Sequence, residues 1–86
     1  MSGGGYPRIE AIAATYRLLG DPTRLRVLLA CMDGPIAVGD IAARVGASQP
    51  LVSHHLRLLR GARLVRGERH QRRILYATAD EHISRM

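Results

Sequence analysis

The residues best equipped for chemistry lie close together. From Ser48 to Arg60 the chain reads SQPLVSHHLRLLR, and Gln49, Ser53, His54, Arg57 and Arg60 each carry hydrogen-bond donors. Turned at about 100° per residue, as an α-helix turns, the stretch divides into two arcs. Gln49, Pro50, Ser53, His54, Arg57 and Arg60 fill one arc, and Leu51, Val52, Leu56, Leu58 and Leu59 fill the other, with His55 its single polar member. A face of Gln, Ser, His and Arg matches the acceptors that base edges and phosphates present in a DNA major groove. An ordinary solvated helix face has much the same composition, so the flanking elements must decide. Nothing in the sequence competes as a reactive centre. It holds no Gly-rich phosphate loop, no HExxH pair and no suitably spaced Ser/His/Asp set. No enzyme activity and no cofactor are expected.

The elements that must position this stretch can be read outward from it. Ser48 is a good N-cap, and Pro50 is harmless in a first turn whose N–H groups have no intrahelical partner. Upstream, Val38, Ile41, Ala42 and Val45 mark a short helix that Gly46 ends, so Gly46-Ala47 is a tight connection between two helices. A short helix, a Gly-containing turn and a second helix with a donor face make a helix-turn-helix. Before it, Ile9, Ile12, Ala13, Tyr16 and Leu19 predict a helix from about Arg8 to Leu19, and Gly20-Asp21-Pro22 closes that helix and caps the next. The second helix is expected to bury Leu25, Leu28, Leu29 and Met32 and to stop at Asp33-Gly34-Pro35. Ile36 to Val38 is at most one short extended stretch. After Gly61, Leu64–Arg69 and Arg73–Thr78 read as two strands joined by His70-Gln71-Arg72. A hairpin that follows a helix-turn-helix is a wing. Its tip gathers Arg69, Gln71, Arg72 and Arg73, suited to phosphates, although charged edges also guard strands against aggregation. The expected fold is mainly α with a small β-hairpin, a winged helix-turn-helix over residues 8–86 after a flexible lead at 1–7.

Composition agrees. The chain has 86 residues, 13 basic against 7 acidic, and a formal net charge of +6. All the basic residues are Arg, whose fork fits phosphate and guanine edges bidentately. That balance points to nucleic acid, with anionic membrane surfaces or acidic proteins as weaker alternatives. One cysteine excludes an intrachain disulfide framework and fits a reducing interior. No apolar run is long enough to span a membrane and no secretory leader pattern opens the chain, so the cytoplasm is expected.

With these pieces assembled, the sequence resembles the ArsR/SmtB family of winged-helix repressors. LGDPTRLRVL, VGDIAARVGAS, LVSHHLRLLRGARLV and RRILYATADEHI carry the resemblance, in that order, from about Leu18 to Ile83. It implies a homodimeric repressor that leaves operator DNA when a metal ion or other inducer binds. It also implies that Gln49, Ser53 and His54 meet base edges and phosphates while the wing tip holds flanking phosphates. The departures bear on sensing. The box that holds a thiolate in some members reads Ile36-Ala37-Val38-Gly39-Asp40, with Ala37 at the cysteine position; Asp40 is expected to complement its helix N-terminus. Asp80 and His82 match half of a second type of metal site whose other half would lie past Met86. Gln71 stands where the wing turn usually has glycine.

The expected ligand is thus double-stranded operator DNA bound by a homodimer through Ser48, Gln49, Ser53, His54, Arg57, Arg60, Arg69, Gln71, Arg72 and Arg73, without a complete metal site. The apolar stripe Ile9, Ile12, Ala13 and Tyr16 is the expected dimer surface, because so small a domain has little core to place it in. Cys31 is expected to be a small buried hydrophobe, and His55 a half-buried neutral histidine. Two alternatives stand beside this: a metal- or thiol-responsive repressor using Asp80/His82 or Cys31, and a winged-helix module that docks on an acidic protein.

Overall fold

Asp21 and Ser48, the two capping residues legible in the sequence, start the two helices that matter most. In the computed structural model, which describes residues 7–79, the Asp21 carboxylate accepts from the Arg24 N–H at 3.1 Å and the Ser48 hydroxyl accepts from the Leu51 N–H at 3.2 Å. The elements run α1 (Pro7–Leu19), α2 (Pro22–Met32), β1 (Ile36–Ala37), α3 (Val38–Val45), α4 (Gln49–Gly61), β2 (Val65–His70) and β3 (Arg73–Thr78). Helix α3 ends at Gly46 in the left-handed backbone region (φ 73), where Gly46 and Ala47 both donate to the Ala42 carbonyl. Without a Cβ the chain turns there at little cost, which sets the short link to α4. Helix α4 closes in a similar way with a bulkier residue. Arg63 takes φ 62, and Leu64 donates back to the Leu59 carbonyl at 2.9 Å.

The three strands form one antiparallel sheet in the order β1-β3-β2. The short extended stretch is therefore a strand: Ile36 pairs with Tyr76 and Ala37 with Leu75. It ties the hairpin to the N-terminus of α3. The wing strands pair from Val65 with Thr78 to His70 with Arg73, so β2 starts and ends one residue later than expected. That leaves a two-residue turn, Gln71-Arg72. Gln71 holds φ 60, the conformation for which glycine is the ordinary choice. The turn forms without it.

Val27, Ala30 and Cys31 of α2, Ile41 and Ala42 of α3, Val52, Leu56 and Leu59 of α4, and Ile36 and Val65 of the sheet make the core. The expected inner face of α2 needs correction. Val27, Ala30 and Cys31 point inward and Leu28 is partly buried, while Leu25, Leu29 (51% exposed) and Met32 (57%) face outward. Helix α2 is apolar nearly all round, so periodicity alone does not choose its buried side. Helix α1 packs Leu18 and Leu19 on the core but leaves Ile9, Ile12 (49%) and Tyr16 (73%) uncovered.

Candidate nucleic-acid interface

Four residues of α4 are buried against the body, the apolar Val52, Leu56 and Leu59 and the polar His55. Val52, Leu56 and Leu59 are completely or almost completely buried, and each such side chain contributes about 1.5–3 kcal/mol. With that side fixed, Gln49, Ser53, Arg57 and Arg60 recur at intervals of four, four and three residues along the opposite side, and His54 stands beside them. All of them are exposed, as is Ser48. Leu51 departs from the wheel: it lies at the edge of the apolar arc and is exposed. Gln49 is placed by α3 as well as by its own helix. A Cβ added to Gly39 would stand only 3.3 Å from the Gln49 amide nitrogen, so the side chain lies across the first turn of α3.

The wing carries the second group. Arg69, Gln71, Arg72 and Arg73 are exposed around the turn. Arg73 lies 3.7 Å from the Asp40 carboxylate in the first turn of α3, a second link between hairpin and helix-turn-helix. On β2, Glu68 accepts from Arg66 at 2.8 Å and stands 3.3 Å from the His70 ring. The hydrogen bond from Arg66, and then that from His70, hold its carboxyl below the ordinary range. Glu68 and Asp40 thus temper the charge near the tip, and Arg69, Arg72 and Arg73 stay exposed.

His55 is buried more deeply than expected, at 4% exposure, with its Nδ1 accepting from Arg24 Nε at 3.2 Å. Burial, then the Arg24 charge, push its pKa below the ordinary 6.5. Arg24 was missed in the sequence because 31 positions separate the pair. A signal existed, since a lone polar residue in an apolar arc requires a buried partner. The His54 and His55 rings lie 5.7 Å apart and tilted, one outside and one inside, which does not suit shared ligation.

A thiolate metal centre does not fit the α3 box. Ala37 offers no donor, and the one cysteine, Cys31, is 1% exposed in the core with its thiol pushed up to about 11 by burial. Among the described residues no group of three or more His, Cys, Asp or Glu could hold a metal ion. Asp80 and His82 lie outside the described residues.

Comparison with known proteins finds the same architecture. The family described as "Bacterial regulatory protein, arsR family" matches residues 21–66. The HTH-type transcriptional regulator CmtR of Mycobacterium tuberculosis is 44% identical over 78 residues, which is 91% of this chain and 66% of CmtR. The chain therefore spans just under two thirds of that relative's length. The NMR structure of CmtR, described as a cadmium metal-sensor, superposes with a TM-score of 0.70 over 85% of this chain and 76% of its own. NolR from Sinorhizobium fredii superposes at 0.83 with 29% identity, covering 99% of this chain and 85% of NolR. A homodimeric winged helix-turn-helix DNA-binding domain, Mb0332 from Mycobacterium bovis, superposes at 0.84 with 27% identity, covering 99% and 79%.

Proposed function

The chain belongs to the arsR family of bacterial regulatory proteins, and from that premise we propose that it is a homodimeric transcriptional repressor that binds double-stranded operator DNA. The observation that carries the reading is α4, with its inner face fixed in the core and every donor of its outer face in solvent. In the proposed complex α4 enters the major groove. Gln49, Ser53 and His54 meet base edges, Ser48, Arg57 and Arg60 meet the adjoining backbone, and Arg69, Gln71, Arg72 and Arg73 hold flanking phosphates. Gln and Ser add base-edge hydrogen bonding that charge alone would not require, which favours DNA over an acidic protein partner.

The apolar stripe Ile9, Ile12 and Tyr16 supports pairing through α1, and the homodimeric state of the Mb0332 domain supports pairing as such by analogy. Two copies would set their recognition helices about 34 Å apart, one turn of DNA. The reading involves no reaction and no cofactor. It puts the protein in the cytoplasm with its operator; among the described residues no helix is long and apolar enough to cross a membrane.

Fluorescence anisotropy on duplex from the region upstream of the protein's own gene tests this against a scrambled duplex of equal composition. Preference for the native sequence is expected. Equal affinity for both duplexes, with tighter binding to an acidic protein, would move the reading to the protein-docking alternative.

A further inference from the structure

Arg24 touches three helices. Its backbone N–H is capped by Asp21 at the start of α2, its Nη1 donates to the Leu18 carbonyl in the last turn of α1 at 2.8 Å, and its Nε donates to His55 Nδ1 on α4 at 3.2 Å. We propose that Arg24 is a positioning residue for DNA reading, a clasp that fixes α4 against the end of α1 and holds only while His55 is unprotonated. The proposal rests on α4 being the helix that reads DNA.

The chemistry of the pair sets the condition. A guanidinium has five N–H donors and no acceptor. The ring nitrogen facing it must therefore be bare. Protonating Nδ1 would turn an acceptor into a donor and set two cations 3.2 Å apart in a place nearly closed to water. The groups around the ring act unequally. Burial, the Arg24 cation and His54 on the same helix oppose the charged form, and the Asp21 carboxylate alone favours it. Asp21 is also engaged by the Arg24 N–H and held below its ordinary range chiefly by that bond. The neutral state therefore wins at and above the ordinary histidine value of 6.5, and the clasp is lost as pH falls through the depressed value.

Leverage makes so small a link matter for reading. His55 sits between His54 and Leu56, so whatever holds its ring also sets the roll of the helix that carries Ser53, His54 and Arg57. At a radius of about 6 Å, a roll of about 10° moves a side-chain tip by about 1 Å. Base-edge hydrogen bonds do not tolerate that, whereas phosphate contacts from long arginines readjust. Loss of the clasp should therefore erase discrimination before it erases affinity. The far end of the clasp is the helix bearing Ile9, Ile12 and Tyr16, so the link also couples the proposed dimer surface to the reading surface.

The test uses the full chain, as wild type, Arg24→Met and Arg24→Lys. The ratio of operator to scrambled-duplex affinity is measured by anisotropy from pH 8 to 5, and the His55 ring is followed by NMR. In wild type the ratio should hold from pH 8 through 6.5 and fall reversibly at a lower pH, with His55 protonated on Nε2 alone at neutral pH. Arg24→Met should lower the ratio by about tenfold at pH 7.5 while scrambled-duplex affinity stays within about twofold, and should raise the pH at which His55 titrates. Arg24→Lys, which keeps one donor group, should fall between. Undiminished discrimination in Arg24→Met, or a His55 titration that does not move, overturns the clasp. Should Arg24→Met fail to fold, the wild-type arm still decides, since discrimination that stays constant until the helices melt overturns it too. A wild type with no operator preference at pH 7.5 instead sinks the DNA reading beneath it.

Discussion

Ser53 and His54 are exposed on α4, so truncating either removes a contact of the proposed complex without disturbing the core that Val52, Leu56 and Leu59 form beneath them. Ser53→Ala or His54→Ala should weaken operator binding by about 1–3 kcal/mol and broaden the set of sequences accepted. Anisotropy on duplexes with single base-pair changes reads both effects. Unchanged affinity and preference in both variants would mean that the reading head lies elsewhere. Gln71 offers a prediction about stability instead. It holds φ 60, a conformation that strains a side chain with a Cβ. Gln71→Gly should therefore stabilise the fold by about 1 kcal/mol in urea unfolding. A destabilised Gln71→Gly protein would mean that the glutamine side chain makes contacts worth more than the strain. The same residues mark what the sequence could say at this scale. Residue type and spacing were enough to pick out Ser53, His54 and the wing arginines as solvent-facing donors. The pairing of His55 with Arg24 was not legible, because hydrogen bonds across 31 positions leave no periodic trace.

At the scale of elements, the wing and the recognition helix should fail differently. Arg72 lies in a two-residue turn, exposed and beyond the last strand pair, where it meets backbone phosphates in the proposed complex. Arg72→Ala should weaken operator and scrambled duplex alike and flatten the dependence of log affinity on log salt by about one unit. Titrations at several salt concentrations separate this from the effect of Ser53→Ala, and an unchanged slope would take Arg72 off the DNA. Helices α3 and α4 and the hairpin were legible because each joins a clear period to a clear boundary: Ser48 caps, Gly46 turns, and the pattern changes after Gly61. Helix α2 was not. Leu25, Val27, Leu28, Leu29, Ala30, Cys31 and Met32 leave hardly a polar side to orient it. The larger leucines suggested the inner face, but the smaller Val27, Ala30 and Cys31 fill it, since α3 and α4 pack closely there. Of strand β1 only a short extended stretch was legible, and its partner was not. Its pairing with β3 comes from the hairpin folding back on it.

At the scale of the molecule, the described residues leave an apolar stripe uncovered on α1. Ile9, Ile12 and Tyr16 sit on a helix whose other side is already fixed by Leu18 and Leu19. Sedimentation should show a dimer in the micromolar range, and Ile12→Glu should shift it to monomer while leaving the helical circular dichroism unchanged. Operator affinity should fall with it, since one half-site then binds alone. A wild type that stays monomeric at high micromolar concentration, with and without DNA, would end the dimer reading. A repressor that must pair before it reads is also a counter of its own abundance. While chains are scarce enough to be mostly single, the number of competent pairs grows with the square of the number of chains. Halving the chain concentration, as growth without new synthesis does, then leaves a quarter of the pair concentration, and doubling it with a second gene copy gives four times as much. The three apolar side chains left bare on α1 would thus give the repressed gene a threshold set by growth and gene dosage, even if no inducer were present.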